Sequence, residues 1–370
     1  MTDNTQLRDS TSSALAMVWR GGSTFEPTSM PIPALLPGES LVRISTSTIC
    51  QSDRHTVSGR RQSPCPSVLG HEGVGRIIAS NNGKDLHGAA LLAGDRVVWS
   101  VIAACGECER CTQGLQAKCH HVQKVGHEPT TSSWALSGTY ASHIILRPGQ
   151  GVLKIEEDLP DPIAATAGCA AATVIAAFDA VGCKTLNHPS LAGKSVLIQG
   201  VGMLGLYAVQ AAQLFGADTV IAADPNPTRL ALARRWGATT REAEHQDSCV
   251  DIALDFSGAP QAVESAIQSL DIGGTAVLVG SVFPTPPIAV DPQWLVRGWR
   301  SITGVHNYEP HHLGPAVDLL SHCAKHQPWE GVFGTTTALR EISACFDTAH
   351  GAAQQQSQDH RPLRNMIDCR

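Results

Sequence analysis

The segment SVLIQGVGMLG (195–205) constrains this chain more than any other part of it. Apolar, strand-forming residues lead directly into Gly200-Val201-Gly202-Met203-Leu204-Gly205, and a helical run continues from Met203 to Phe215. G-x-G-x-x-G is a weak signal alone. Placed between a strand and a helix, it reads as the phosphate turn of a dinucleotide-binding unit. Gly200 permits the tight turn, and Gly202 lets the backbone approach a pyrophosphate seated on the helix N-terminus. Gly205 lets helix and strand pack closely. Met203 and Leu204 open the helix and belong to the same site. Asp224 ends the second strand. An acid there accepts hydrogen bonds from the adenosine ribose and repels a 2′-phosphate, which favours NAD over NADP. Arg229, one turn into the next helix, works against that preference. The plain alternative is a glycine-rich turn with no ligand.

Around this turn the texture is strand–helix–strand. TVIAAD (219–224) is followed by PTRLALARRWG, with Pro227 at the first helical position and Gly237 at the cap. DIALDFSG (251–258), TAVLVGS (275–281) and SITGV (301–305) continue the alternation, which predicts a doubly wound parallel sheet with helices on both faces. Before about residue 162 the texture is different. ALAMVW (14–19), SLVRISTSTI (40–49), GVGRIIAS (73–80), DRVVWSV (95–101) and YASHIIL (140–146) are short β-rich runs broken by Gly, Pro and Ser. The chain is therefore divided into a loose tail (1–13), a β-rich domain (14–165), a nucleotide-binding α/β domain (166–305) and a C-terminal segment (306–370). AAQQQSQ (352–358) reads as an exposed loop.

Length and composition narrow the class. A chain of 370 residues suits two domains, and 42% hydrophobic residues supply enough apolar material for packed cores. A net charge of -6 argues against nucleic-acid binding, which needs clustered Lys and Arg. The polar start carries no apolar core of signal length, so export is not expected. IAATAGCAAATVIAAF (163–178) is short and Ala-rich, and reads as a buried helix, not a membrane span. The expectation is a cytoplasmic protein with reduced thiols and no membrane partner.

Twelve cysteines in a chain of this size point to metal ligands or buried thiols. Cys105, Cys108, Cys111 and Cys119 fall within fifteen residues, a spacing that suits one closed, structural zinc. Disulfides or free thiols are the alternative. His120 and His121 beside them are expected to be solvated. Other metal-ligating residues are dispersed: Cys50 in CQSDRH (50–55), His71 in GHE (70–72), and Cys169 in CAAAT (169–173). Two thiolates and one imidazole would leave a fourth position open, as in catalytic zinc sites. Spacing alone does not bring 50, 71 and 169 together. A buried Cys169 and a satisfied His71 are the alternatives.

These motifs occur together and in order: C-x-S-D-x-H (50–55), G-H-E (70–72), G-D-R-V (94–97), the four-Cys lobe, C-x3-T (169–173) and the glycine turn. By them the chain, over about residues 14–370, resembles the medium-chain, zinc-dependent alcohol dehydrogenases. AMVWR (16–20), HTVSGRR (55–61) and GVHNY (304–308) are similar to a bacterial branch found with phosphonate-breakdown genes. The resemblance implies a GroES-like β-rich catalytic domain, closed by the C-terminal segment, with a Rossmann domain inserted. It implies two zincs per chain, with Cys50, His71 and Cys169 as catalytic ligands, and a homodimer or homotetramer, for which SITGV is a pairing edge. It also implies hydride transfer between a small alcohol and NAD. Ser52 would begin a proton relay ending at His55, for which a surface histidine without a relay role is the alternative. Asp53 would orient His71, and Thr173 would lie near the nicotinamide. Glu72 is either a transient metal ligand or a buried salt-bridge partner. Gln51 departs from the family's usual glycine and must be accommodated beside the zinc. Arg60 and Arg61 are read as a clamp for an anionic group such as a phosphonate, with a solvated basic turn as the alternative. His306, Asn307 and Tyr308 either line the cleft or pin the interdomain hinge. A zinc-free quinone-type reductase and a non-enzymatic NAD- or zinc-binding protein are the competing functions.

Overall fold

The structure is a computed structural model describing residues 12–241, 249–346 and 361–370. Nearly all of the expected N-terminal tail, and the Gln-rich patch 352–358, lie outside the described residues. Ser13 already opens the first strand, Ser13–Trp19, one residue earlier than expected.

The six strands of the α/β domain form one parallel sheet. Its order in space is Thr239–Arg241, Thr219–Ala223, Ser195–Gln199, Val250–Asp255, Leu270–Leu278, Ser301–Gly304. The order reverses on either side of Ser195–Gln199, and the crevice at such a switch point is where open α/β sheets bind ligands. Met203–Leu214 starts there, immediately after the glycine turn. Its face is rich in Ala and Gly, and nine of its residues, Met203 and Gly205–Ala212, are buried. Pro227 does begin the next helix, Pro227–Arg235, whose cap Asn226 accepts from the N–H groups of Thr228 and Arg229.

The β-rich part is built on an eight-stranded sheet. Its central path runs Phe333–Ala338, Arg364–Asp368, Ser40–Thr48, Glu72–Ser80, Arg96–Ala103, Gln123–Lys124. A three-stranded sheet of Phe25–Pro31, Ser13–Trp19 and Ser67–Val68 packs beside it. The last strand brings C-terminal residues to the centre: Met366 faces Thr48 and Ile367 faces Ser47 in the ladder. The strands at 25–31, 150–154, 333–338 and 364–368 were not anticipated from the sequence. The first of these contains Pro27 and Pro31, and edge strands are where proline is tolerated.

The Ala-rich segment is helical from Asp161 to Asp179, and it is long and apolar enough to cross a membrane. However, 78% of its apolar window is buried inside the protein, so it is a core helix. It is not regular. A π-helical turn, Ala167–Ala171, interrupts it between Asp161–Ala164 and Ala172–Asp179. Such turns widen the helix locally and re-aim side chains, often at functional sites. Here the turn carries Cys169.

Candidate active site

Cys50 caps a helix that follows the central strand directly. Helix Gln51–Val57 was not anticipated. The Cys50 N–H donates to Asp53 Oδ2 at 3.0 Å, a local bond that fixes where the thiol points. Gln51 opens this helix at an exposed position, so its side chain is accommodated on the cavity wall. His71 comes from a turn held by Gly70. Its φ is +89°, and a Cβ there would lie 2.5 Å from Thr139 Oγ1 and 2.6 Å from the Tyr140 ring. That close approach matters because the Tyr140 hydroxyl donates to Asp53 Oδ2 at 2.9 Å. Asp53 Oδ1 then stands 3.2 Å from His71 Nδ1, an ion-pair contact too bent to count as a hydrogen bond. Burial disfavours charge on His71, but Asp53 and Cys50 outweigh it and raise its pKa well above the ordinary imidazole value. Asp53 thus sits where it orients the imidazole and raises its basicity.

Cys169 completes the group. The donor atoms of Cys50, His71 and Cys169 lie within 4.8 Å of one another. The two sulfurs are 4.0 Å apart, which fits thiolates on one tetrahedral zinc, where about 3.8 Å is expected from bonds of about 2.3 Å. Tyr308 anchors the π turn: its hydroxyl donates to Gly168 O and accepts from the Val101 N–H at 3.2 Å. Tyr308 therefore does both things open to it, lining the cavity and pinning the segment after the last parallel strand.

Glu72 is a salt-bridge partner. Arg364 donates to its carboxylate from Nε at 2.9 Å and from Nη2 at 3.2 Å, and Thr48 Oγ1 donates at 2.5 Å. Both partners are buried. With its oxygens so engaged, Glu72 is not poised as a fourth metal ligand here. Arg364 Nη2 also lies 3.7 Å from Cys50 Sγ. The Cys169 thiol and Arg364 hold Cys50 well below the ordinary thiol value, against the opposing effect of burial.

Two cavities meet at this group. One, of about 810 Å³, is lined by Cys50, His71, Cys169, Ser52, Thr173 and the segment Val305–Tyr308. The other, of about 860 Å³, is lined by Gly200, Gly202–Gly205, Asp224 and Arg229. His55 and Arg60 line both. Ser52 Oγ is 3.2 Å from His71 Nε2, beside the open side of the three donors. The His55 ring meets Phe283 edge-on at 4.6 Å. Burial and the Arg60 guanidinium lower its pKa from the ordinary value, so it is neutral near pH 7.

The second cavity fits a dinucleotide. Gly200 has φ +85°, and a Cβ there would fall 2.8 Å from that of Ser257. A Cβ on Gly205 would meet Gly200 O at 2.2 Å. A Cβ on Gly202 would meet nothing within 4 Å, so that position faces open space. No side chain caps helix Met203–Leu214, which leaves its first N–H groups for an anion. Asp224 is buried. Its Oδ2 accepts from the Val201 N–H and its Oδ1 from the Asn226 N–H, both at 2.8 Å. These bonds tie the second strand to the glycine turn. The Arg229 guanidinium is 3.6 Å from Asp224 Oδ2.

The four-Cys lobe closes on itself. Its sulfurs stand 3.5 Å (Cys108–Cys111 and Cys105–Cys119), 3.8 Å (Cys108–Cys119) and 3.9 Å (Cys105–Cys111) apart. These are the edges of a zinc tetrahedron and far too long for disulfide bonds. The cysteines are free, and His120 and His121 are exposed. Backbone N–H groups of His120 and Cys111 lower the Cys108 thiol to about 6. Glu309 accepts from the N–H groups of Gln116 and Ala117, joining the lobe to the pocket-wall segment. Asp179, His311 and His312 form a third group with donor atoms within 4.8 Å. His312 Nδ1 accepts the Glu309 N–H, so its proton sits on Nε2, which faces Asp179 at 3.2 Å. That is a helix-capping network, not a set of free donors.

The sequence matches two family models: the alcohol dehydrogenase GroES-like domain over residues 36–157, and the zinc-binding dehydrogenase domain over residues 204–322. It is 30% identical to an L-threonine 3-dehydrogenase of Aeromonas hydrophila over 301 residues, 76% of this chain and 80% of the relative. The chain belongs to the medium-chain, zinc-dependent alcohol dehydrogenases. Another member of the family, a 5-exo-hydroxycamphor dehydrogenase of Pseudomonas putida, is 29% identical over 344 residues (88% of this chain, 92% of the relative). Among solved structures, an alcohol dehydrogenase of Thermotoga maritima superposes with TM-score 0.84 at 28% identity, covering 96% of this chain and 99% of that one. The chain is accordingly an oxidoreductase of small alcohols, with zinc and a nicotinamide as its cofactor chemistry. The zinc-free reductase and the non-enzymatic readings are set aside.

Several residues of this dehydrogenase's site escaped the sequence reading. Arg364 sits in a C-terminal stretch with no motif, and its role comes only from strand pairing with Ser40–Thr48. Tyr140 lies in a strand-like run whose pattern does not mark its hydroxyl. Lys124 and His127 line the first cavity from a short strand and turn that the sequence does not announce.

Proposed function

We propose that this protein is an NAD-dependent dehydrogenase holding two zincs, which oxidises an alcohol bearing an anionic oxyacid group, with a hydroxyalkyl phosphonate as the model substrate. The observation that carries the reading is the meeting of Cys50, His71 and Cys169 at the junction of a nucleotide-sized cavity and a substrate-sized one. Zinc bound by those three residues supplies Lewis-acid polarisation and lowers the pKa of an alcohol. The protein's own groups do the rest. Thr173 and Leu204 line the wall along which the substrate carbon and the nicotinamide are aligned. A nicotinamide held by the glycine turn and Asp224 would supply the hydride acceptor for that carbon. Ser52 Oγ would accept the hydroxyl proton while giving up its own, and His55, neutral and lining both cavities, would carry that proton toward solvent. The balance is alcohol plus NAD⁺ to carbonyl plus NADH and one proton.

Asp224 supports NAD: its carboxylate lines the second cavity, where it would accept from a ribose hydroxyl and repel a 2′-phosphate. For the anionic group, support comes from the substrate cavity, which is lined by Arg60, Arg61 and Lys124 and, among the described residues, by no carboxylate. A subunit pairing is also part of the proposal. Among the described residues Ser301–Gly304 has a partner on one side only, and Trp299 (87% exposed) and Val296 (76%) precede it in the chain. The test is NADH formation from short neutral alcohols and hydroxyalkyl phosphonates, with and without a chelator, alongside zinc analysis. Two zincs per chain and chelator-sensitive oxidation of the phosphonates are expected. Oxidation that survives complete zinc removal, or none with any alcohol, would overturn the reading.

A further inference from the structure

Arg60 and Arg61 are neighbours in sequence but not in function. Both follow helix Gln51–Val57, where cations are favoured by the helix C-terminus. Arg60 faces both cavities, whereas Arg61 and Lys124 line only the substrate cavity. Arg61 Nη2 lies 3.1 Å from His127 Nε2. Burial and the Arg61 charge push the His127 pKa well below the ordinary value, so this imidazole is neutral and accepts from the guanidinium. His127 thus fixes the Arg61 fork, and its ring stands 5.7 Å from that of His71. Lys124 reaches the same cavity from a different element, a short strand on which it pairs with Ile102. Glu128 uses Oε1 on the Lys124 backbone N–H, and among the described residues no carboxylate pairs with the Lys124 ammonium. Burial, then Arg61 and Lys118, lower the Lys124 pKa. Two partly buried cations therefore line one cavity whose wall, among the described residues, holds no carboxylate, an arrangement that destabilises itself until an anion arrives.

Building on the dehydrogenase reading above, we propose that Arg61 and Lys124, with His127 as the residue positioning Arg61, form a cradle selective for a dianionic tetrahedral head group. The shape argument is direct. A planar carboxylate presents two oxygens and one charge, which the Arg61 fork satisfies alone, leaving Lys124 unpaired. A phosphonate or phosphate ester presents three oxygens and close to two charges, enough for both cations. Arg60 lines both cavities, so its charge acts on cofactor and substrate alike and does not select the dianion.

The test compares four alcohols of similar length across about pH 7–9, a range that spans the second ionisation of the alkylphosphonate and lies above that of the phosphate ester: 3-hydroxypropylphosphonate, its monomethyl ester, 3-hydroxypropyl phosphate and 4-hydroxybutanoate. Dead-end inhibition by propylphosphonate and by its monomethyl ester gives a readout independent of turnover. In the zinc-loaded enzyme, both dianions are expected to exceed the monoanions in kcat/KM about 10- to 100-fold, the range of one hydrogen bond to a charged group. Preference for the phosphonate over the phosphate ester, or the reverse, tells the two sources apart. Lys124→Met should collapse the dianion-to-monoanion ratio in both turnover and inhibition, and Lys124→Arg should restore it. Arg61→Met should weaken all the anions, and Arg60→Met should leave the ratio intact. If Lys124→Met keeps the wild-type ratio while Arg61→Met loses every anion, the cradle is wrong and the anionic-alcohol reading stands. If neither variant changes any anion, both are wrong.

Discussion

The buried pair Arg364–Glu72 joins the C-terminal strand to the Cys50–His71–Cys169 group, and its removal has a computable signature. Arg364→Met would leave Glu72 with only Thr48 as a donor, in a position of 0% side-chain exposure. Removing one partner of such a pair costs about 3–5 kcal/mol, because an uncompensated charge stays behind. The double variant Arg364→Met/Glu72→Gln removes that charge, and should recover about 2 kcal/mol or more of the loss. The pH dependence follows from direction. Burial already raises the Glu72 pKa even with Arg364 beside it. Without Arg364 the folded-state pKa rises further above its unfolded value. A carboxyl raised in this way is no burden below the unfolded pKa, costs more as pH climbs from that value to the folded one, and costs its full amount above it. The single variant should therefore approach wild-type stability as pH falls toward about 4 and lose most above neutrality. Arg364 also faces Cys50 Sγ, so the variant should release its catalytic-site zinc to a competing chelator more readily. Urea unfolding of zinc-saturated protein across pH, together with chelator competition, measures both. A single variant within 1 kcal/mol of wild type, or a double variant no better than the single, would refute the reasoning.

Three further outcomes are expected. Cys119→Ser should lower the zinc content from two per chain to one, and destabilise the lobe held to Glu309, as read by metal analysis and limited proteolysis between residues 105 and 119. Asp224→Ser should reduce kcat/KM with NAD about tenfold or more and narrow the gap to NADP, since Arg229 would then face the site without its 3.6 Å partner; steady-state kinetics with the two cofactors checks this. His55 accepts a proton only while neutral. Its pKa is lowered by burial, then Arg60 and Arg61, against the raising influence of Cys50, so oxidation should hold down to below about pH 6.5 and fall only as acid protonates the ring. His55→Asn should remove that acid limb from the pH profile of kcat and lower kcat about 10-fold or more.

Much of this molecule was legible because its chemistry is written in short, local strings. The glycine turn announces itself, since only residues without a Cβ fit at positions 200 and 205 and the flanking strand and helix are strongly patterned. Four cysteines within fifteen residues can hardly avoid one another, and the lobe brings their sulfurs to 3.5–3.9 Å. What stayed hidden depends on contacts between distant parts of the chain. Glu72 could be read as a ligand or as a salt-bridge partner until the strand Arg364–Asp368 came in 292 residues later and occupied its carboxylate. Cys169 was named as a ligand by the resemblance, but its residues alone left a small buried thiol in an alanine-rich helix equally open, because the π turn that aims it has no compositional mark. Arg60 and Arg61 looked like one clamp because they are adjacent; both line the substrate cavity, and Arg60 alone also lines the nucleotide cavity, a difference that adjacency could not show. Local strings in this chain therefore name the reagents. The long-range pairings of its C-terminal strand, of Tyr140 with Asp53 and of Arg61 with His127 set the charge and orientation with which those reagents meet a substrate.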